Sequence, residues 1–107
     1  MFDPLDPVWD ALADSTRRSI LEGLVDGPRT TGDLCRSFTT SRFAVMKHLD
    51  VLAEAGLVVV ERRGRDRWNH LDPAPLRPIT RWLERCDRVQ PAGQARSRGS
   101  DWSPGID

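Results

Sequence analysis

The stretch from Thr30 to Leu71 constrains this chain more than any other, because its apolar residues change period partway along. In TGDLCRSF, Leu34 and Phe38 stand one helical turn apart, which predicts a short helix opening at Thr30 or Thr31. Thr39-Thr40 leaves room only for a tight connection. Ser41 is then a good N-cap, and Gly56 a good stop, for a helix through about Ala55. Beyond it Leu57–Glu61 is apolar and β-branched, a strand composition. Arg63-Gly64-Arg65-Asp66 reads as a turn and Arg67–Leu71 as the returning strand. Two helices joined by a short turn, then a hairpin with a basic tip, make a helix-turn-helix followed by a wing.

The flanks read as helices. Pro7 suits the first turn of a helix ending at Leu12, with Val8, Trp9 and Leu12 on its apolar side. Asp14 or Ser15 caps a second helix to about Val25, carrying Ile20, Leu21, Leu24 and Val25, and Asp26-Gly27-Pro28 stops it. After Asp72-Pro73-Ala74-Pro75, a last helix runs from about Pro75 to Val89, with Leu76, Ile79, Trp82, Leu83 and Cys86 along one side. Residues 90–107 lack periodicity and are rich in Gly, Pro and Ser, so they read as a disordered tail. The expected fold is mostly α with a small β-hairpin, in the order α-α-α-α-β-β-α. An N-terminal arm (1–6) and the tail (90–107) flank one domain (7–89), a size suited to 107 residues.

Charge sharpens this. The formal net charge is zero, which excludes a uniformly basic nucleic-acid binder. Its distribution is uneven: residues 29–70 hold 8 basic and 5 acidic side chains, whereas residues 1–28 hold 2 and 6. Such a local patch attracts a duplex even on a neutral molecule. No run approaches the roughly 18 apolar residues that span a membrane. The acidic N-terminus lacks the order of a secretory signal, so a cytoplasmic protein is expected. Cys35 and Cys86 have no metal-ligand spacing, and thiols so placed are expected to be reduced. No nucleophile motif, phosphate loop or metal cluster suggests an enzyme, and no cofactor is implied.

On a helical wheel, Val45, His48, Leu49 and Leu52 share the packing side of the Ser41 helix. Its first turns face outward with Arg42, Phe43, Met46 and Lys47, two apolar side chains between two cations. A major groove accounts for that mixture. Arg42 can donate twice to a guanine edge, Lys47 suits phosphate, and Phe43 and Met46 can touch thymine methyls. Alternatively, Phe43 and Met46 complete the domain's own core. Arg62, Arg63, Arg65 and Arg67 suit phosphate or the minor groove, or form a merely solvated hairpin. Thr31 and Ser41, at the two helix starts, complete the expected DNA-binding set.

The segments ALADSTRRSILEGLVDGP and SRFAVMKHLDVLAEAGLVVVERRGRDRWNHLDPAPL resemble the ArsR/SmtB family of bacterial regulators over about residues 7–89. The resemblance implies a homodimeric winged helix-turn-helix repressor that binds an inverted repeat in double-stranded DNA. Its first and last helices would form the dimer interface, here Val8, Trp9, Leu12, Leu76, Ile79, Trp82, Leu83 and Cys86. Packing of those faces on each other within one chain is the alternative. Phe43 stands where relatives commonly have proline and Met46 where they have serine, so contacts transfer in place but not in chemistry. Metal ligands of the family do not carry over. The arsenic-type cysteine pair falls on Thr30–Gly32, leaving only Cys35. The last helix has Glu84 and Asp87 but no histidine, and His48 and His70 lie elsewhere. A non-metal-sensing type is implied, with the effector open. A thiol- or arsenical-responsive regulator using Cys35 or Cys86, and a winged helix that binds protein instead of DNA, are the competing readings.

Overall fold

The computed structural model describes residues 3–91 of the chain, so the expected tail lies outside the described residues from position 92 onward. Helix α1 (Asp6–Leu12) opens with Pro7 in its first turn. The expected N-terminal arm is partly tied down: Leu5 packs on the core and its N–H donates to the Asp3 carboxylate at 2.8 Å. Helix α2 (Ser15–Leu24) is capped by Asp14, and α3 (Thr31–Arg36) by Thr30. Helix α4 (Arg42–Glu54) is capped by Ser41, whose Oγ accepts from the Ala44 N–H at 3.1 Å. In each case a short oxygen-bearing side chain satisfies one of the N–H groups that an α-helix leaves without an internal partner.

Gly56 ends α4 at φ +80°. Its N–H donates to the Ala53 carbonyl at 3.0 Å and that of Leu57 to the Leu52 carbonyl at 2.9 Å, a Schellman closure that needs a left-handed residue there. The chain then enters β2 (Val58–Arg63) and returns as β3 (Asp66–Leu71). Arg63 pairs with Asp66, so the turn holds only Gly64 and Arg65. Positive φ at Gly64 (+61°), but not at Arg65, is the mark of a II′ turn, whose twist matches the strands it joins. A short 3₁₀ turn (Ala74–Leu76) leads into α5 (Arg77–Asp87).

The fold class agrees with expectation, with two additions. That 3₁₀ turn replaces the start expected for the last helix. A third strand, β1 (Arg29–Thr30), pairs antiparallel with β3, giving the sheet order β1-β3-β2. Two residues carry no periodicity of their own, so only their partners Asn69 and Trp68 reveal them.

One core gathers all these elements. It contains Val8 and Ala11 of α1, Ile20, Leu21 and Leu24 of α2, Leu34, then Val45, Leu49 and Leu52 of α4, with Leu57, Val58 and Ile79. Each buried aliphatic side chain contributes about 1.5–3 kcal/mol. Two residues expected at a dimer interface, Val8 and Ile79, are thus core residues of the single chain. Their helical spacing marked an apolar stripe, but spacing does not say what covers it.

Candidate nucleic-acid interface

Helix α4 lies against α1, α2, α3 and β2, with Val45, Leu49 and Leu52 turned into the core. The opposite side of its first turns is open. Ser41, Arg42, Phe43 and Lys47 are exposed, Phe43 by 70%. Phe43 therefore takes no part in the core. It pairs along the helix with Lys47, whose Nζ lies 5.2 Å from its ring centroid. Met46 departs from the wheel: it is half-buried in a small cleft shared with Leu49, Val60, Arg67 and Asn69, because the sheet covers that side of α4. Thr39 and Thr40 stand exposed just ahead of α4. Hydroxyls at that place can donate to phosphate, a signal the sequence offered without its being used.

Thr31 is placed differently from the expected set. It is buried, and its Oγ1 accepts from Asn69 Nδ2 at 3.0 Å. The same amide donates to the Arg29 carbonyl at 3.2 Å. Thr31 and Asn69 therefore fasten the wing to α3, and Thr31 presents nothing outward.

The four wing arginines separate. Alternation along β2 and β3 puts Arg62 and Arg67 on the face that carries Val58, Val60 and Asn69 and looks toward α3 and α4. They are direct cross-strand partners. Arg63 lies on the other face, where its Nη2 donates to Glu61 at 3.0 Å and its guanidinium stacks 5.0 Å from the Trp68 centroid. Glu61 also meets His70 Nε2 at 2.8 Å. Arg63, then His70, hold the Glu61 carboxyl below the usual carboxylate range, and Glu61 raises Arg63 in turn. Arg65 occupies the turn. Among the described residues Arg62, Arg65 and Arg67 make no ion pair, so three of the four cations are available.

A second surface lies on α1 and α5. Trp9 and Trp82 meet edge to face, with centroids 5.8 Å apart, so the two helices do touch within one chain. The contact does not cover them: Trp9 stays 40% and Trp82 45% exposed, beside Leu83 at 53% and exposed Cys86. Leu12 and Leu76 are partly buried against the core. Cys35 is half-buried on α3. Among the described residues no three His, Cys, Asp or Glu side chains gather as a metal would require. No helix among them is long and apolar enough to cross a membrane.

Comparison with known proteins agrees with this geometry. The family profile described as a helix-turn-helix domain matches residues 12–61. The HTH-type transcriptional regulator Rv2034 of Mycobacterium tuberculosis is 45% identical over 80 residues, spanning 75% of this chain and 75% of that protein. The transcriptional repressor SdpR of Bacillus subtilis is 30% identical over 79 residues, 74% of this chain and 88% of its own length. An ArsR-like transcriptional regulator from Rhodococcus sp. RHA1 superposes with a TM-score of 0.72 at 34% identity, over 78% of this chain and 77% of its own. These relatives are regulators rather than enzymes. The chain belongs to the ArsR family of winged helix-turn-helix transcriptional regulators.

Proposed function

We propose that this regulator is a cytoplasmic homodimeric repressor that reads an inverted repeat, with α4 in the major groove and the wing on the adjacent backbone. The observation that carries the reading is the pairing of Arg62 with Arg67. Like charges directly opposite in a sheet lie about 4.5–5.5 Å apart at Cβ and destabilise it. Here no carboxylate among the described residues relieves them, and a phosphate would. They share their side of the molecule with the exposed face of α4. Arg42 is suited to a guanine edge, Lys47 to phosphate and Phe43 to a thymine methyl.

Dimerisation is supported by the second surface. Trp9, Trp82 and Leu83 remain open after packing on one another, and contiguous apolar exposure of that kind usually marks an interface. Two-fold symmetry would then set two reading helices about 34 Å apart, one turn of duplex. The similarity to SdpR, a repressor, supports the sign of regulation.

Selection of bound duplexes from a random pool tests the whole reading. The expected product is an inverted repeat with half-sites one turn apart, bound less tightly as salt rises. An unselective pool, or binding indifferent to salt, would falsify it.

A further inference from the structure

Arg17 joins three helices. It belongs to α2, and its Nε and Nη2 donate to the Ala11 and Asp10 carbonyls in the last turn of α1, each at 2.9 Å. Its remaining arm, Nη1, meets Nδ1 of His48 on α4 at 3.2 Å. A guanidinium only donates, so this contact requires a neutral imidazole that accepts at Nδ1 and keeps its proton on Nε2. Asp14 stands by: its Oδ2 lies 3.9 Å from the same Nδ1 while accepting the Arg17 N–H at 3.0 Å. That backbone N–H, more than any other group, holds the Asp14 carboxyl below its usual range.

We propose that Arg17 is a positioning residue for sequence-specific DNA binding: through His48 it locks α4 to the end of α1, and a proton on His48 opens the lock. The inference rests on the DNA-reading function proposed above. From α2 the groups facing the ring are Arg17 and Asp14, and α1 contributes only its two carbonyls, held by the same guanidinium. Among the described residues no other charged side chain reaches the ring. Once protonated, Nδ1 can no longer accept, and imidazolium and guanidinium repel at that distance. The ring then favours Asp14, and Arg17 keeps α1 while releasing α4.

Specific recognition needs the reading helix at a fixed angle to the dimer helices, whereas loose attraction to phosphate does not. Acid should therefore lower specific binding relative to non-specific binding. Simple charge addition predicts tighter binding in acid, the opposite sign.

The test measures the full chain on a pool-selected duplex and on a scrambled one, at fixed salt, at about pH 7.5 and about pH 5.5. The expected specific-to-scrambled ratio falls about tenfold in acid, the effect of one charge-assisted hydrogen bond. His48→Gln keeps an acceptor for Arg17 but cannot take a proton, and its ratio should stay level. His70→Gln removes the other histidine and should leave the fall intact. Arg17→Lys keeps the charge but cannot span three acceptors, so its ratio should already be low near neutrality and fall no further. A wild-type ratio indifferent to acid, an equal fall in His48→Gln, or a normal ratio in Arg17→Lys overturns the proposal and leaves DNA reading standing. No preference for the selected duplex near neutrality overturns DNA reading and this inference with it.

Discussion

Helices α4 and α5 both hold large apolar side chains in solvent, but in different company. On α4 the exposed ring is solitary: Phe43 projects between Arg42 and Lys47, with the Lys47 ammonium over its face. On α5 the exposed groups are contiguous: Trp82, Leu83 and Cys86 run along one side and continue onto Trp9 of α1. The difference teaches what each surface can meet. A single apolar group ringed by cations matches a duplex groove, where methyl groups lie between rows of phosphates. A continuous aromatic and aliphatic stripe matches another apolar stripe, and a second copy of this chain supplies one by symmetry.

The contrast can be broken most forcefully at α5. Trp82→Glu puts a charge into the proposed dimer surface. It should yield a monomer in sedimentation and weaken binding to the selected duplex by about a hundredfold, in line with loss of an aromatic anchor. A dimer that persisted would return this stripe to the single chain. On α4 the two cations should behave unlike each other. Arg42→Ala should cost about 1–3 kcal/mol at one base position and relax preference there, seen by repeating the selection. Lys47→Ala should weaken every duplex alike and lower the salt slope by about 0.9. The wing refines the picture further. Arg62→Ala should lower that slope by a similar step, whereas Arg63→Ala, whose guanidinium is already engaged by Glu61 and Trp68, should leave it nearly unchanged.

The smallest effect concerns pH. The Glu61 carboxyl is lowered in the folded chain, so its stabilising contribution is present above the unfolded value of about 4.3 and lost as pH falls through the folded one. Wild type and Glu61→Gln should differ slightly in melting temperature near neutrality and converge at about pH 3. A constant gap would mean that the Arg63 and His70 contacts contribute nothing through charge.

What the sequence disclosed follows from how local each signal is. Asp14, Thr30 and Ser41 were legible as caps because a cap bonds within three residues of itself. The wing was legible because a glycine turn between opposed strands is a short-range pattern. β1 was not, since Arg29 and Thr30 become a strand only by meeting β3 some forty residues later. The same distance hid Thr31, whose hydroxyl looked available until Asn69 claimed it. His48 was rightly placed on the packing side, but nothing nearby in the chain announced Arg17 as its partner. The split among the wing arginines was implicit in strand alternation, yet it required the register to be known.

The bonds from Asn69 to Thr31 and to the Arg29 carbonyl have a consequence for the duplex. They rivet the hairpin to the start of α3, so the protein behaves as a ruler of fixed length between groove and backbone. A duplex engaged by both ends of that ruler must do the bending itself. Bases lying beneath the wing would then be chosen for how cheaply they deform, with no side chain ever touching their edges.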